Sequence, residues 1–346
     1  MKSRNTIILA CACMAALLLT AASPNPQDLN PQPPQEPVKL IFIHHSTGEN
    51  WLADGYGNLG RELGENNYFV SDTNYGWGPD SIGDRTDIPD WLEWFDSEQT
   101  AAYMQALFNE SDQHADYTRR LADPGGENRI ILFKSCFPNS ELGGSPDDPP
   151  GTYGDLTVSG AKFVYNRILE YFGSRPDKLF VVITAPPVSS REHAANARAF
   201  NNWLVNDWLK EAEYTHKNVV VFDFYNVLTD ANAHHRYANG KIEHVAGARD
   251  TLTYPSGDDH PSEKGSQKAT QEFVPFLNSY YHQWIVDAPA AAETETGNTA
   301  ALPQPTKQIP RVESQTPTGA LIDDFEGSVP PGTNGWEVFR DESVPT

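Results

Sequence analysis

Positive charge is the scarcer sign in this chain. Lys and Arg number 25 against 47 Asp and Glu, giving a formal net charge of −22. Phosphate binding needs clustered cations, so this balance argues against a nucleic-acid partner and against anionic membrane surfaces. Cysteine is scarcer still, at three residues, and Cys11 and Cys13 both fall in the N-terminal leader. Cys136 is then alone in the remaining chain, so no internal disulfide is available and stability must come from a core. A lone cysteine of this kind is usually a small buried apolar residue. No H-E-x-x-H and no cysteine cluster occurs, which removes the common metal signatures. No G-x-S-x-G elbow occurs either, which counts against a typical α/β-hydrolase. The histidine pairs His44-His45 and His234-His235 are poor chelators, because adjacent side chains on a strand point to opposite faces. Gly55-Tyr56-Gly57-Asn58-Leu59-Gly60 matches G-x-G-x-x-G. That fingerprint has to turn directly from strand to helix, and here the preceding apolar run ends about ten residues too early.

What is present divides the chain into segments. Lys2 and Arg4 precede an apolar stretch from Thr6 to Leu19, closed by Thr20-Ala21-Ala22. This reads as a secretory signal peptide over residues 1–22. As an uncleaved anchor the run is only marginally long enough, and a lipoprotein reading at Cys11 or Cys13 is weaker. Residues 23–37, SPNPQDLNPQPPQEP, read as a Pro-rich tether. Residues 38–286 carry the pattern of a folded domain, and residues 287–319 form a second linker rich in Ala, Thr, Pro and Glu. Residues 320–346, with Leu321 to Glu326 and Trp336 to Phe339, read as the start of a truncated β-domain. So short a piece cannot bury a core by itself. The expectation is a secreted protein, periplasmic or extracellular, with cell-surface attachment as an alternative. It is not an integral membrane protein once the signal is cleaved.

Within the domain, Val38–Ile43, Tyr68–Ser71, Arg129–Phe133, Leu179–Thr184 and Val219–Phe224 are nearly continuous Val/Ile/Phe runs. Such runs suit parallel strands covered on both faces. Thr100–Phe108, Val158–Phe172, Ala194–Ala212 and Lys264–Tyr281 carry apolar residues at helical spacing. The alternation predicts a three-layer αβα sandwich around a mostly parallel sheet of about five strands, flavodoxin-like in plan. In such folds the site lies at the carboxyl ends of the strands.

Four features stand at strand ends or in loops: Ser46 in His44-His45-Ser46, Gly78 in Asn74-Tyr75-Gly76-Trp77-Gly78, Asn139 in Phe137-Pro138-Asn139-Ser140, and His260 in Gly257-Asp258-Asp259-His260. Singly, each has a plain structural explanation as a cap or a turn residue. Together they supply the parts of acyl transfer. A serine needs a base, the base needs a carboxylate, and the developing oxyanion needs oriented N–H donors.

This set resembles the SGNH (GDSL-type) hydrolase family over roughly Val38 to Ile285. The resemblance implies Ser46 as nucleophile, His260 as base, and Ser46 N–H, Gly78 (or else Gly76) and Asn139 as the oxyanion hole. Pro261-Ser262 and Gly265 also resemble the family's continuation after its histidine. The chain departs from the family at three places. Gly-Asp-Ser is replaced by His44-His45-Ser46, and Gly-x-Asn-Asp by Phe137-Pro138-Asn139-Ser140. Gly257 occupies the position three before His260 where the family has Asp. Asp258, or alternatively Asp259, then has to orient His260. His45, Trp51 and Trp77 are candidate substrate-binding residues, since exposed tryptophans offer flat faces to sugars; buried tryptophans would be core.

The resulting expectation is a carboxylic ester hydrolase acting on an acylated carbohydrate or a small ester, with no cofactor and no metal required. Turnover should fall below about pH 6, as the histidine protonates. The competing expectation is a non-catalytic cell-surface glycan-binding protein that retains the fold.

Overall fold

A computed structural model describes residues 29–288 of the chain. The signal-peptide segment, most of the second linker and the terminal β-like segment lie outside the described residues. Five strands form the central sheet: β1 (Val38–Ile43), β2 (Tyr68–Thr73), β3 (Ile130–Lys134), β4 (Leu179–Ile183) and β5 (Val219–Phe222). They are all parallel, in the order β2-β1-β3-β4-β5. Ile43 pairs with both Thr73 and Phe133, so three strand ends meet at one edge of the sheet. The connections leaving β1 and β2 run in opposite directions across the sheet. β1 therefore stands at the topological switch point, where a crevice opens outside the strand ends.

The helices are α1 (Ser46–Leu52), α2 (Leu59–Glu65), α3 (Trp91–Phe95), α4 (Thr100–Asn109), α5 (Val158–Ser174), α6 (Ala194–Asn206), α7 (Trp208–Glu211), α8 (Phe224–Thr229) and α9 (Glu263–Asp287). The pleat sends alternate side chains to opposite faces. Ile41, Ile43, Ile131, Phe133, Phe180 and Val182 pack with residues of α3 to α7. Leu40, Phe42, Ile130, Leu132, Val181 and Phe222 pack with α1, α2, α8 and α9. This makes three layers with a core on each side of the sheet, as the apolar runs predict.

Several boundaries differ from the sequence expectation. The last sheet strand ends at Phe222, because Asp223 caps α8 by accepting the Asn226 N–H (3.0 Å). The expected helix over 194–212 is broken at Asp207 into α6 and α7. A hairpin of β6 (His234–Ala238) and β7 (Lys241–Val245) follows α8. The Asn239-Gly240 pair turns it, both residues having positive φ, the geometry that two-residue hairpin turns favour. The G-x-G-x-x-G match lies in the connection between α1 and α2 and the start of α2, not between a strand and a helix.

Residues 29–37, assigned above to the tether, run along the folded body instead. Asn278 Nδ2 donates to Pro31 O (2.9 Å), Asn67 Nδ2 donates to Pro34 O (2.8 Å) and Leu29 N–H donates to Gly240 O (3.0 Å). Proline lacks a donor but keeps its carbonyl, and its fixed φ lowers the entropy lost on docking.

Candidate active site

Ser46 begins α1, with two residues, His44 and His45, between it and the end of β1. Its Oγ lies 2.8 Å from His260 Nε2, across 214 positions of sequence. His260 is carried by the bend before α9. There Ser256 N–H donates to His260 O (3.0 Å), Ser262 N–H to Tyr254 O (2.6 Å) and the Tyr56 hydroxyl to Pro261 O (2.8 Å). The bend folds Asp258 back onto the histidine. Asp258 Oδ1 accepts the His260 N–H and the Ser256 hydroxyl, each at 2.8 Å, and Oδ2 lies 3.0 Å from His260 Nδ1. Gly257 has φ 133°, a conformation that side chains avoid. A tight Asp-x-His bend thus takes the place of a longer Asp-x-x-His one.

Burial pushes Asp258 up, but the His260 N–H, the Ser256 hydroxyl and the His260 ring outweigh it and hold the carboxyl down at about 2. As an ionised acceptor it accepts the hydrogen bond of Nδ1–H, which leaves the Nε2 lone pair facing the Ser46 hydroxyl. Asp259 is directed elsewhere, its Oδ1 accepting the Ser189 N–H at 2.7 Å. Of the two carboxylates offered by the sequence, Asp258 is the one at the ring.

Asn139 sits in a short helical turn, Phe137–Ser140, after β3, and is buried. Its Oδ1 accepts the Ile88 N–H (2.7 Å) and its Nδ2 donates to Asp87 Oδ1 (2.6 Å). These partners fix the amide orientation and leave one N–H without a partner among the described residues. His45 reaches the same stretch of chain: Nε2–H donates to Gly83 O (2.5 Å) and Nδ1 accepts the Thr86 hydroxyl (3.0 Å). The ends of β1 and β3 are thereby joined through residues 83–88. Gly78 lies earlier in this connection, exposed and at a positive φ of 79°. The Gly76 N–H is committed to Asp84 Oδ1 (2.6 Å).

The candidate substrate-binding residues fare differently. Trp51 is fully buried, donates to Thr270 Oγ1 (2.9 Å) and stacks on Phe224. Trp77 is buried, donates to Glu110 Oε2 (2.5 Å) and stacks on Trp94. Trp91 and Trp94 are fully buried too. None of these rings offers a face to a sugar. The switch-point connections simply need bulk to fill the space under them. His45 is buried under Tyr75, with ring centroids 3.9 Å apart, and orders the loop.

Three residues around the site are given no role by the sequence. Cys136 Sγ lies 3.5 Å from Ser46 Oγ and 3.2 Å from Thr47 Oγ1. Phe137 meets the His260 ring edge to face, at 4.9 Å. Asp72, at the end of β2, bonds His44 (3.0 Å); its place at a strand end was the one available clue.

A hydroxyl, an imidazole and a carboxylate in one hydrogen-bonded chain are the arrangement used in nucleophilic acyl transfer. No family model matches the chain and no curated protein does. Among solved structures it is similar to a proposed acylhydrolase of Bacteroides fragilis NCTC 9343, at 10% identity over 73% of this chain and 91% of that one, with a TM-score of 0.39. It is also similar to a carbohydrate esterase whose active site displays divergent catalytic and non-catalytic binding functions, at 12% identity over 72% of this chain and 68% of that one, with a TM-score of 0.32. Similarity this distant says nothing of chemistry, which has to come from the residues themselves.

Proposed function

We propose that the protein is a serine ester hydrolase with Ser46 as nucleophile, His260 as general base and Asp258 as the residue that orients the base. The 2.8 Å contact between Ser46 Oγ and His260 Nε2 carries this reading. His260 Nε2 takes the Ser46 proton as Oγ attacks the ester carbonyl. The oxyanion is held by the Ser46 N–H and by the remaining N–H of the Asn139 amide, with Gly78 N–H as the proposed third donor. Collapse expels the alcohol, protonated by His260, and leaves an acyl-Ser46 ester. Water, deprotonated by His260, then releases the acid and restores the enzyme. Asp258 stays ionised throughout and stabilises the imidazolium.

Cys136 stands beside the Ser46 hydroxyl and Phe137 against the His260 ring, which favours a short acyl chain. The alcohol is proposed to be a carbohydrate. This part rests on the secretory-type leader and the acidic composition, which suit work outside the cell, and not on the tryptophans. The test is a fluorophosphonate probe followed by peptide mapping. A stoichiometric adduct on Ser46 that disappears in His260→Ala supports the mechanism. A protein that binds glycans but never reacts at Ser46 would establish the non-catalytic alternative instead.

A further inference from the structure

The imidazole preceding the site remains to be explained. His44 is fully buried, and both of its ring nitrogens face acceptors: Nδ1 lies 3.0 Å from His45 O, and Nε2 lies 3.0 Å from Asp72 Oδ2. A carbonyl and a carboxylate cannot donate, so one proton sits on Nδ1 and another lies between Nε2 and Oδ2. Burial alone would push Asp72 up. The His44 ring, the His114 N–H and the Tyr117 hydroxyl outweigh it and hold the carboxyl below its ordinary range. With an acceptor at each nitrogen, the ring satisfies both contacts only by carrying a proton on each, beside an aspartate that has no exposure.

The carbonyl that His44 grips is half of a peptide whose other half is the Ser46 N–H. The chain contains no cis peptide bond among the described residues, and in a trans peptide the N–H points opposite to the C=O. Holding the carbonyl aims the N–H. Gly48 makes room for the ring, since a Cβ there would lie 2.3 Å from His44 Cβ. We infer that His44, held between Asp72 and the His45 carbonyl, is a positioning residue that fixes the His45–Ser46 peptide so that the Ser46 N–H meets the developing oxyanion. This role rests on the esterase reading above.

The test uses the full chain with 15N-labelled histidine, together with p-nitrophenyl acetate turnover. At pH 7 the wild-type His44 ring should show both nitrogens protonated, and Asp72→Asn should convert it to a neutral ring. In Asp72→Asn and Gly48→Ala, kcat should fall about ten- to a hundred-fold with KM unchanged, short of the loss seen when an oxyanion donor is removed outright. A purely structural pair would lower the melting temperature and leave kcat per folded molecule intact. A neutral His44 in the wild type, or folded variants with wild-type kcat, would overturn the inference. If Asp72→Asn does not fold, the wild-type spectrum and Gly48→Ala decide. Wild-type protein without turnover sinks the esterase reading and this role with it, whereas wild-type turnover with unaffected variants sinks this role alone.

Discussion

Ser46, His260 and Asp258 are separated by up to 214 positions and meet within hydrogen-bond distance. Their residue types and places were legible: a serine just past an apolar run, and an acid-rich bend before the last helix. The preference for Asp258 over Asp259 agrees with the geometry, but the tight bend that Gly257 permits, which brings Asp258 to the ring, was not legible. Replacing Asp258 by Asn should lower kcat by roughly 10²- to 10⁴-fold, as loss of the orienting carboxylate does elsewhere, while Asp259→Asn stays near wild type; ester kinetics on both variants check this. The pH dependence follows from the same residue. Asp258 is held at about 2, so its contribution is complete above the ordinary carboxylate range and is lost only as pH falls toward that value. The acid-side loss of turnover should therefore involve one proton and belong to the imidazole, as a profile of kcat/KM against pH will show. Trp51 teaches the opposite lesson. An aromatic near a motif offers no clue to whether its face is free, and here it is core. Trp51→Ala should cost about 3–5 kcal/mol in urea unfolding.

Among elements, the five sheet strands were readable because burial on both faces leaves little room for polar residues. The short helix α1 was not readable, because seven polar and apolar residues carry too little periodicity and form only under tertiary packing. The β6–β7 hairpin has a strong Asn-Gly turn signal, but its strands, HHRYA and KIEHV, are too polar to stand out as strands in the sequence. The connection holding Asn139 yields a prediction. Burial first, and then Asp87, push Asp90 up to about 7. A carboxyl raised on folding stabilises the native state below its unfolded value near 4, and that contribution is lost as pH rises through about 7. Asp90→Asn keeps an oxygen for the Asp87 N–H and removes the charge. Its melting temperature should exceed that of the wild type at pH 8, and the excess should shrink toward zero as pH falls to about 4, by calorimetry across that range.

At the scale of the molecule, the fold puts its chemistry at one edge of the sheet and spends other ionisable groups on holding the hairpin. His235 accepts the Asp223 N–H (2.8 Å), and His244 bonds Asp223 Oδ2 (2.8 Å). Burial first, and then His244, lower His235 to about 3. A base lowered on folding contributes fully above its unfolded value near 6.5 and progressively less as pH falls toward about 3. Thermal melts from pH 7 down to pH 4 should show this loss, on the order of a few kcal/mol, while the His235 ring remains neutral by NMR at pH 5. The composition of residues 29–37 misled in one respect only. Proline-rich sequence indicates an extended path, but not whether that path lies against the domain, as it does here.

The central claim is that Ser46 is the nucleophile of an ester hydrolase. Turnover of a short acyl ester by the wild type and by Ser46→Ala, with both shown to be folded by circular dichroism, tests it most directly. The account predicts measurable wild-type turnover and a drop to the uncatalysed rate in the variant. Equal rates in the two proteins would contradict it.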